Sequence, residues 1–188
     1  MGDNWYICPM IVMKFGGSSV ADADRIRHVA SIIKAYKEDK PVVVLSAMGD
    51  TTDHLLEAAD IAVGGEVDIS KVENLHRETA EKLGIKIEEI DDLLEELTQL
   101  LTGISMLREL TKRTRDYLVS FGERMSVRMM AAFLNKEGVG AKFYDAWDAG
   151  ITSDSNFMSA ELLEDVWTDI PEKLNDYKYG VSKEIPIV

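Results

Sequence analysis

Two short apolar runs on either side of one helical stripe constrain the fold of this chain more than any other feature. The first run spans residues 9–15, with residues 11–13 expected to be buried, and the second, 42–45, reads Val-Val-Val-Leu. Runs of β-branched residues without polar alternation are typical of parallel strands covered on both faces. Between them, an apolar stripe at helical spacing runs through residues 21–38, with Asp22 as the candidate N-cap. The order strand, helix, strand predicts a βαβ unit with a right-handed crossover.

The remaining periodicities extend this unit into a three-layer α/β/α fold with a mainly parallel sheet. Residues 66–117 show helical spacing and no strand pattern, so we predict a helical hairpin inserted after the βαβ unit, with turns at Gly84 and Gly103. Further elements are expected along the rest of the chain: helices at 53–63, 118–136 and 160–174 (with a break at Pro171), and strands at 141–144 and 185–188.

Composition excludes several classes of function. The 188 residues include 34 acidic and 21 basic side chains, a net charge of -13, which argues against a broad basic face for nucleic acid. No uninterrupted apolar stretch is long enough to cross a membrane. The single cysteine, Cys8, excludes an internal disulfide and fits a reducing, cytoplasmic location. The spacing of His28, His54 and His76 does not match a zinc site, so we expect no metal centre and place all three at the surface.

The segment with the clearest chemical meaning is Lys-Phe-Gly-Gly-Ser-Ser at residues 14–19, between the first strand and the first helix. Two glycines allow backbone N–H groups to turn inward into an anion nest, and the following helix adds its positive end. Lys14 adds a point charge at the strand end, and Ser18 adds a hydroxyl donor. The pattern is neither a Walker A loop nor G-x-G-x-x-G, but it suits a polyphosphate.

Three further polar segments follow predicted strands or begin predicted helices. Residues 46–53 follow the second strand, where ligands of open α/β sheets bind, although one of Thr52 or Asp53 should cap the next helix. At the expected helix start near residue 120, Glu123 suits a ligand ammonium and Arg124 a carboxylate or its own neighbours. The alternative for Glu123 is a first-turn acid that complements the helix dipole. Residues 152–156 read best as an Asx-type turn.

Taken together, the four segments resemble the signature of the aspartate kinases, members of the amino-acid kinase superfamily. The matching stretches are Val-Met-Lys-Phe-Gly-Gly-Ser-Ser-Val at 12–20, Leu-Ser-Ala-Met-Gly with Thr-Thr at 45–52, Gly-Glu-Arg-Met-Ser at 122–126, and Thr-Ser-Asp-Ser-Asn-Phe at 152–157. They occur in the family's order and cover roughly residues 10–188. Their order along the chain is more specific than any one of them.

The resemblance implies ATP-dependent phosphorylation of the side-chain carboxylate of L-aspartate, giving 4-phospho-L-aspartate for lysine, threonine and methionine synthesis. It implies ATP and Mg²⁺ as cofactors, with neither site complete in this chain. It also implies assembly as a homo-oligomer or with a C-terminal half. The roles it carries over are phosphate binding by Lys14, Gly16, Gly17 and Ser18, with Lys14 catalytic, and substrate binding by Ser46, Thr52 and Glu123.

Two departures from the family pattern define what we expect of this chain. Residues 1–9 precede the usual family start and form an N-terminal extension. Residues 185–188 would lead, in the family, into a Thr-Leu-Gly-Arg-Gly-Gly-Ser-Asp loop and the nucleotide pocket, so we expect the N-terminal, substrate-binding portion of such an enzyme, inactive alone. Two alternatives stay open: a superfamily member acting on glutamate, carbamate or a nucleotide, and a non-catalytic half of a split or oligomeric enzyme.

Overall fold

The computed structural model describes residues 10–86 and 88–188, and within them four strands form one parallel sheet. The strands are β1 (Ile11–Phe15), β2 (Pro41–Leu45), β3 (Ala141–Phe143) and β4 (Ile185–Ile187), in the spatial order β1-β2-β4-β3. The helices of these residues are α1 (Ala23–Ala35), α2 (Thr51–Gly64), α3 (Ser70–Leu83), α4 (Glu88–Leu107), α5 (Lys112–Lys136), α6 (Val166–Lys173) and α7 (Asn175–Lys178). The predicted N-terminal extension, residues 1–9, lies outside the described residues.

The predicted βαβ unit is present as β1, α1 and β2. The side chain of Asp22 accepts a hydrogen bond from the Arg25 backbone N at 2.9 Å, which caps the first turn of α1 as its sequence position predicted. The apolar stripe of α1 is buried in the main core. The helix ends at Ala35, earlier than predicted, because a short 3₁₀ turn over Lys37–Asp39 leads directly into β2.

Two apolar clusters on opposite faces of the sheet confirm the three-layer architecture. Val43 belongs to the large core formed with α1 to α5, whereas its neighbour Val42 packs with Leu174 and Tyr177 of the α6–α7 layer. Val12 pairs with Val42 in register and faces the same side, yet it is 68% exposed. The prediction that residues 11–13 are all buried is therefore wrong, because the α6–α7 layer covers β2 and not the outer strand β1.

Of three predicted helix boundaries, two differ in the structure and one is confirmed. α2 begins at Thr51, so neither Thr52 nor Asp53 caps it, and Asp50 occupies the N-cap position without a side-chain hydrogen bond. Gly84 ends α3 in the left-handed region with φ 63°, as the predicted turn requires. Gly103 lies inside α4, because the apolar stripe continues through it to Ile104, which is buried.

α5 is longer than predicted and changes the position of the third motif. It begins at Lys112 after the N-cap Thr111, whose side chain accepts a hydrogen bond from the Thr114 backbone N. Residues 112–117, which we assigned to the inserted hairpin, are thus the first turns of the same helix.

At the other end of the chain, Pro171 stands within α6, which ends only at Lys173.

One histidine contradicts the expectation that all three lie at the surface. His76 of α3 is fully buried, and its Nδ1–H donates to the Val72 carbonyl at 2.7 Å. His28 is exposed and His54 is half-buried. The periodicity of α3 places position 76 on its core-facing side, and the backbone carbonyl four residues earlier satisfies one ring nitrogen.

Candidate active site

The turn that follows β1 forms the first part of the candidate site. A 3₁₀ turn over Gly17–Ser19 is closed by hydrogen bonds from Ser19 N to Gly16 O at 2.8 Å and from Val20 N to Gly17 O at 3.2 Å. Lys14 is exposed, and a Cβ on Gly16 would lie 3.9 Å from its Nζ, so the ammonium stands over the turn. The turn and the cation therefore lie side by side, as the sequence predicted.

Of the two glycines, only Gly17 is needed here for close approach. Gly16 has φ -78°, a value that any residue adopts. A Cβ on Gly17 would lie only 2.7 Å from the Ala47 carbonyl oxygen, which no side chain tolerates without a backbone shift. Gly17 thus allows the loop after β2 to pack against the turn after β1.

Backbone hydrogen bonds join these two loops at the carboxyl edge of the sheet. Ser46 N donates to Phe15 O at 3.1 Å, and Gly49 N donates to Gly17 O at 3.2 Å. Gly49 has φ 53° and bends the loop where a side chain would be strained. The expectation that the first two motifs are neighbours on the ligand side of the sheet is confirmed by these contacts.

α5 brings the third motif onto the same loop. A Cβ on Gly122 would lie 2.7 Å from the Ala47 Cβ and 3.4 Å from the Thr51 Cγ2, so this glycine allows α5 to pack directly on the loop. The next residue, Glu123, accepts a hydrogen bond from the Ala47 backbone N at 3.3 Å through Oε1. Because Glu123 lies in the middle of α5, the reading as a first-turn acid is wrong.

The other predicted site residues surround this contact. Ser46 and Thr52 are half-buried at the two ends of the loop, while Thr51 is fully buried and donates its hydroxyl to the Met48 carbonyl. Ser18 is exposed, and its carbonyl accepts a hydrogen bond from Arg25 Nη1 at 2.6 Å. The structure thus joins the first three motifs through residues 46–51.

The fourth segment is tied to the start of α5. Asp154 Oδ1 accepts hydrogen bonds from Asn156 N at 3.0 Å and Glu161 N at 3.2 Å, which confirms the predicted Asx-type turn. Asp116 of α5 accepts a hydrogen bond from Met158 N at 2.7 Å. Among the residues that the structure describes, no hydrogen bond joins this turn to the β1 turn.

A buried ion-pair cluster beside Glu123 was not predicted from the sequence. Arg128 donates to both carboxylate oxygens of Asp145 at 2.6 and 2.9 Å, and Arg124 Nε lies 3.5 Å from the same carboxylate. Arg124 Nη2 also contacts Glu96 of α4 at 3.1 Å. Asp145 follows the carboxyl end of β3, the position where polar residues of parallel sheets gather, and this placement was the available signal.

An aromatic shell encloses the same cluster. The Arg124 guanidinium lies 4.8 Å from the Phe121 ring, 5.3 Å from Trp147 and 5.8 Å from Tyr117. The Tyr117 hydroxyl donates to Glu96, and this hydrogen bond raises the pKa of the tyrosine. Arg124 thus contacts its own neighbours, the second of the two roles that the sequence left open.

The chemistry that these groups support is the binding of an anion at one end and a cation at the other. Lys14 and the backbone of the β1 turn present positive charge and donors, and Glu123 presents a carboxylate across the 46–51 loop. Among residues 10–86 and 88–188 no group of three His, Cys, Asp or Glu side chains is placed to hold a metal ion.

The pattern of the family described as "Amino acid kinase family" matches residues 9–187, nearly the whole chain. The chain belongs to the amino acid kinase family. Within this amino acid kinase chain, the first three matching motifs are the segments that the sheet and α5 bring together at residues 46–51.

Curated relatives narrow the resemblance within the family to aspartokinases. This chain is 47% identical to chloroplastic aspartokinase 2 of Arabidopsis thaliana over 184 residues, which are 94% of this chain and 34% of that protein. It is 30% identical to the aspartokinase of Bacillus sp. (strain MGA3), covering 92% of this chain and 32% of the relative. The predicted resemblance to aspartate kinases is confirmed, and this amino acid kinase chain spans about a third of the length of these relatives.

Solved structures confirm the predicted fold. The chain superposes on E. coli aspartokinase III in complex with aspartate and ADP with a TM-score of 0.72 at 24% identity, over 95% of this chain and 40% of that one. Clostridium acetobutylicum aspartate kinase gives a TM-score of 0.70 at 24% identity, over 95% and 38% of the two chains. Across the described residues of this family member, no helix is both long and apolar enough to cross a membrane.

Proposed function

We propose that this chain is the N-terminal, substrate-binding portion of an aspartate kinase, which phosphorylates the side-chain carboxylate of L-aspartate with ATP. The observation that carries the proposal is the contact of three motifs at one loop. The β1 turn that carries Lys14 is hydrogen-bonded to the 46–51 loop, and Glu123 accepts a hydrogen bond from Ala47 of that loop. A cation and a carboxylate thereby lie on segments that contact the same loop, an arrangement that suits a nucleotide phosphate next to an amino acid.

The proposed reaction is a direct transfer of the γ-phosphoryl group from ATP to aspartate. A carboxylate oxygen of the aspartate side chain forms a bond to the γ-phosphorus, and the bond from that phosphorus to the β–γ bridging oxygen breaks, releasing ADP. Phosphoryl transfer depends on positioning and charge compensation more than on covalent catalysis. Lys14 supplies a positive charge to the transferring group, and Gly16, Gly17 and Ser18 supply backbone and hydroxyl donors around it.

In this proposal, Glu123 and two residues at the ends of the 46–51 loop recognise the amino acid. Glu123 pairs with the α-ammonium of aspartate, while the Thr52 hydroxyl and Ser46 line the same pocket. The hydrogen bond between Glu123 and Ala47 N, at 3.3 Å, is long for an N–H···O bond. A substrate ammonium would offer this carboxylate a charge-assisted contact in its place.

ATP is the phosphoryl donor in this proposal, and the E. coli structure with ADP and aspartate supports that choice for a fold of this kind. Mg²⁺ usually binds through substrate phosphates and one or two carboxylates, so it would travel with the nucleotide, and no step is assigned to it. The same proposal includes a cytoplasmic location. It also includes assembly, either as a homo-oligomer or with a polypeptide that supplies the remaining two thirds of the relatives' length.

The test uses the full-length enzyme that contains this chain, with L-aspartate and ATP as substrates. Lys14→Ala should lower kcat by about 10²–10³-fold, the loss typical of one transition-state charge donor, while the KM for aspartate stays within about threefold. The control is Lys34→Ala, an exposed lysine near the end of α1. An unchanged kcat in Lys14→Ala would refute the phosphate role.

Acceptor specificity separates this proposal from other members of the family. L-Aspartate should be phosphorylated far faster than L-glutamate or carbamate by the full-length enzyme. We expect the 188-residue chain alone to release no ADP in response to aspartate, since its relatives are about three times as long. A preference for another acceptor would contradict the assignment to aspartate while leaving the family unchanged.

A further inference from the structure

We infer that Arg124 is a positioning residue that holds α5 in the rotation at which the Glu123 carboxylate faces the substrate loop. This inference rests on the proposed function, since it concerns how Glu123 is aimed at an amino acid ammonium. Glu123 itself contacts the loop through Ala47 N, whereas Arg124 points into the cluster of Glu96, Asp145 and three aromatic rings.

The surroundings of Arg124 restrict its guanidinium in several directions at once. Its side chain is only 11% exposed and bridges two carboxylates on separate elements, Glu96 on α4 and Asp145 after β3. The rings of Phe121, Tyr117 and Trp147 lie within 5.8 Å of the guanidinium carbon. A planar, delocalised cation suits this combination of carboxylates and ring contacts, and a lysine ammonium does not reproduce it.

One partner of Arg124, Asp145, lies just after β3 and is held by a second arginine of α5. Asp145 is buried, and Arg128 donates hydrogen bonds to both of its carboxylate oxygens. The Arg128 guanidinium also lies 4.3 Å from the Phe143 ring of β3. Arg128 Nη1 donates to the Arg124 carbonyl at 2.8 Å, which ties the backbone of α5 to the same cluster. Two arginines and two carboxylates balance in charge, so removing one partner would leave an uncompensated charge in a largely buried cluster.

The link from this cluster to Glu123 is the geometry of the helix. Consecutive residues of an α-helix point about 100° apart around its axis, so the rotation that places Arg124 also fixes the direction of Glu123. Gly122, one residue before Glu123, sets the distance between α5 and the loop, because a Cβ there would lie 2.7 Å from the Ala47 Cβ. Gly122 therefore sets how close α5 comes to the loop, and Arg124 sets how it is turned.

The experiment is a double-mutant cycle in the full-length enzyme with Arg124→Lys, Glu123→Gln and the combined variant. Arg124→Lys should raise the KM for aspartate by about tenfold or more, while kcat and the KM for ATP stay within about threefold. In the Glu123→Gln background the same change should alter the KM for aspartate by less than about twofold, because residues that act through one contact are non-additive.

Two further variants separate positioning from a loss of folding. Arg77→Lys is the matched control, since Arg77 also joins two carboxylates, Glu73 at 2.7 Å and Asp91 at 3.1 Å, on the exposed side of α3 and α4. It should leave both KM values unchanged. Glu96→Gln removes only the α4 partner and should raise the KM for aspartate in the same direction as Arg124→Lys, by a smaller factor.

The results of these experiments separate the positioning role of Arg124 from the proposed function. Additive effects in the cycle, or equal increases in both KM values, would overturn the positioning role and leave the proposed function intact. If Arg124→Lys does not fold, the Glu96→Gln cycle with Glu123→Gln decides the question by the same criterion. A full-length wild-type protein that does not phosphorylate aspartate would overturn both the proposed function and this inference.

Discussion

At the scale of single residues, His76 shows how burial changes the chemistry of a side chain. Burial lowers its pKa to about 4, against the opposing effect of its hydrogen bond to the Val72 carbonyl. Because Nδ1 carries the proton that this carbonyl accepts, Nε2 is the site of further protonation. Nε2 has no hydrogen-bond partner among the residues that the structure describes, and the nearby His54 also contributes to the lowered pKa of His76.

This depressed pKa predicts a loss of stability on acidification. Between pH 6.5 and about pH 4 the unfolded chain binds a proton at His76 that the folded chain excludes, so stability falls as pH falls through this window. The free energy of unfolding should drop by about 2 kcal/mol from pH 7.5 to pH 5 through this group alone. Urea unfolding at the two pH values measures the change.

The matched variants isolate His76 from the carboxylates that also titrate in acid. His76→Gln should remove this part of the pH dependence, whereas His28→Gln, at an exposed position of α1, should retain it. Equal pH dependence in the two variants would contradict the assignment to His76.

At the scale of the element, two helix glycines in this chain have opposite roles. Gly122 of α5 lies against Ala47 and Thr51, whereas a Cβ on Gly103 of α4 would meet nothing within 4 Å. Only the first glycine is needed for the contact between a helix and a loop. The same residue type at helical positions therefore serves close packing in α5 and has no such requirement in α4.

Alanine substitutions should separate the two roles. Gly122→Ala should lower the free energy of unfolding by about 1–3 kcal/mol, because the new methyl forces α5 away from the loop. Gly103→Ala should raise it by about 0.5–1 kcal/mol through helix propensity alone. Chemical unfolding of both variants measures the difference, and a loss of the same size in each would refute the close-packing role of Gly122.

At the scale of the whole molecule, the second helical layer covers β2 on the face of the sheet opposite the main core. Tyr177 of α7 is buried there, and its hydroxyl donates to the carbonyl of Pro41, the first residue of β2, at 3.0 Å. Burial raises the pKa of this tyrosine to about 12, so the donor keeps its proton at any physiological pH. One hydrogen bond thus links residues far apart in the chain across two layers.

Removing that hydroxyl should weaken the attachment of the layer. Tyr177→Phe should lower the free energy of unfolding by about 1 kcal/mol, since a buried carbonyl loses its partner. Tyr179→Phe, at a position 68% exposed, should leave stability unchanged. Thermal unfolding of the pair measures the effect, and an equal response in both variants would argue against a role for the Pro41 contact.

Local patterns determined much of this architecture. The stripe of α1, its cap at Asp22 and the uninterrupted apolar run of β2 follow from the periodicity and side-chain chemistry of adjacent residues, so they were predicted correctly. The motif order also predicted the family and the meeting of the first two loops, because parallel strands end at one edge of the sheet. These properties depend on contacts that short stretches of sequence already encode.

Contacts between distant segments decided the rest. The exposure of Val12 depends on which strands α6 and α7 cover, and the burial of His76 depends on the helices packed around α3. The continuation of α5 through residue 118 and the cluster of Arg124 with Asp145 likewise arise from elements that meet only in three dimensions. Sequence alone identified Lys14 and Glu123 as candidates for opposite ends of a site. Only tertiary packing revealed Ala47 as the point that joins them, because a buried alanine carries no chemical signal of its own.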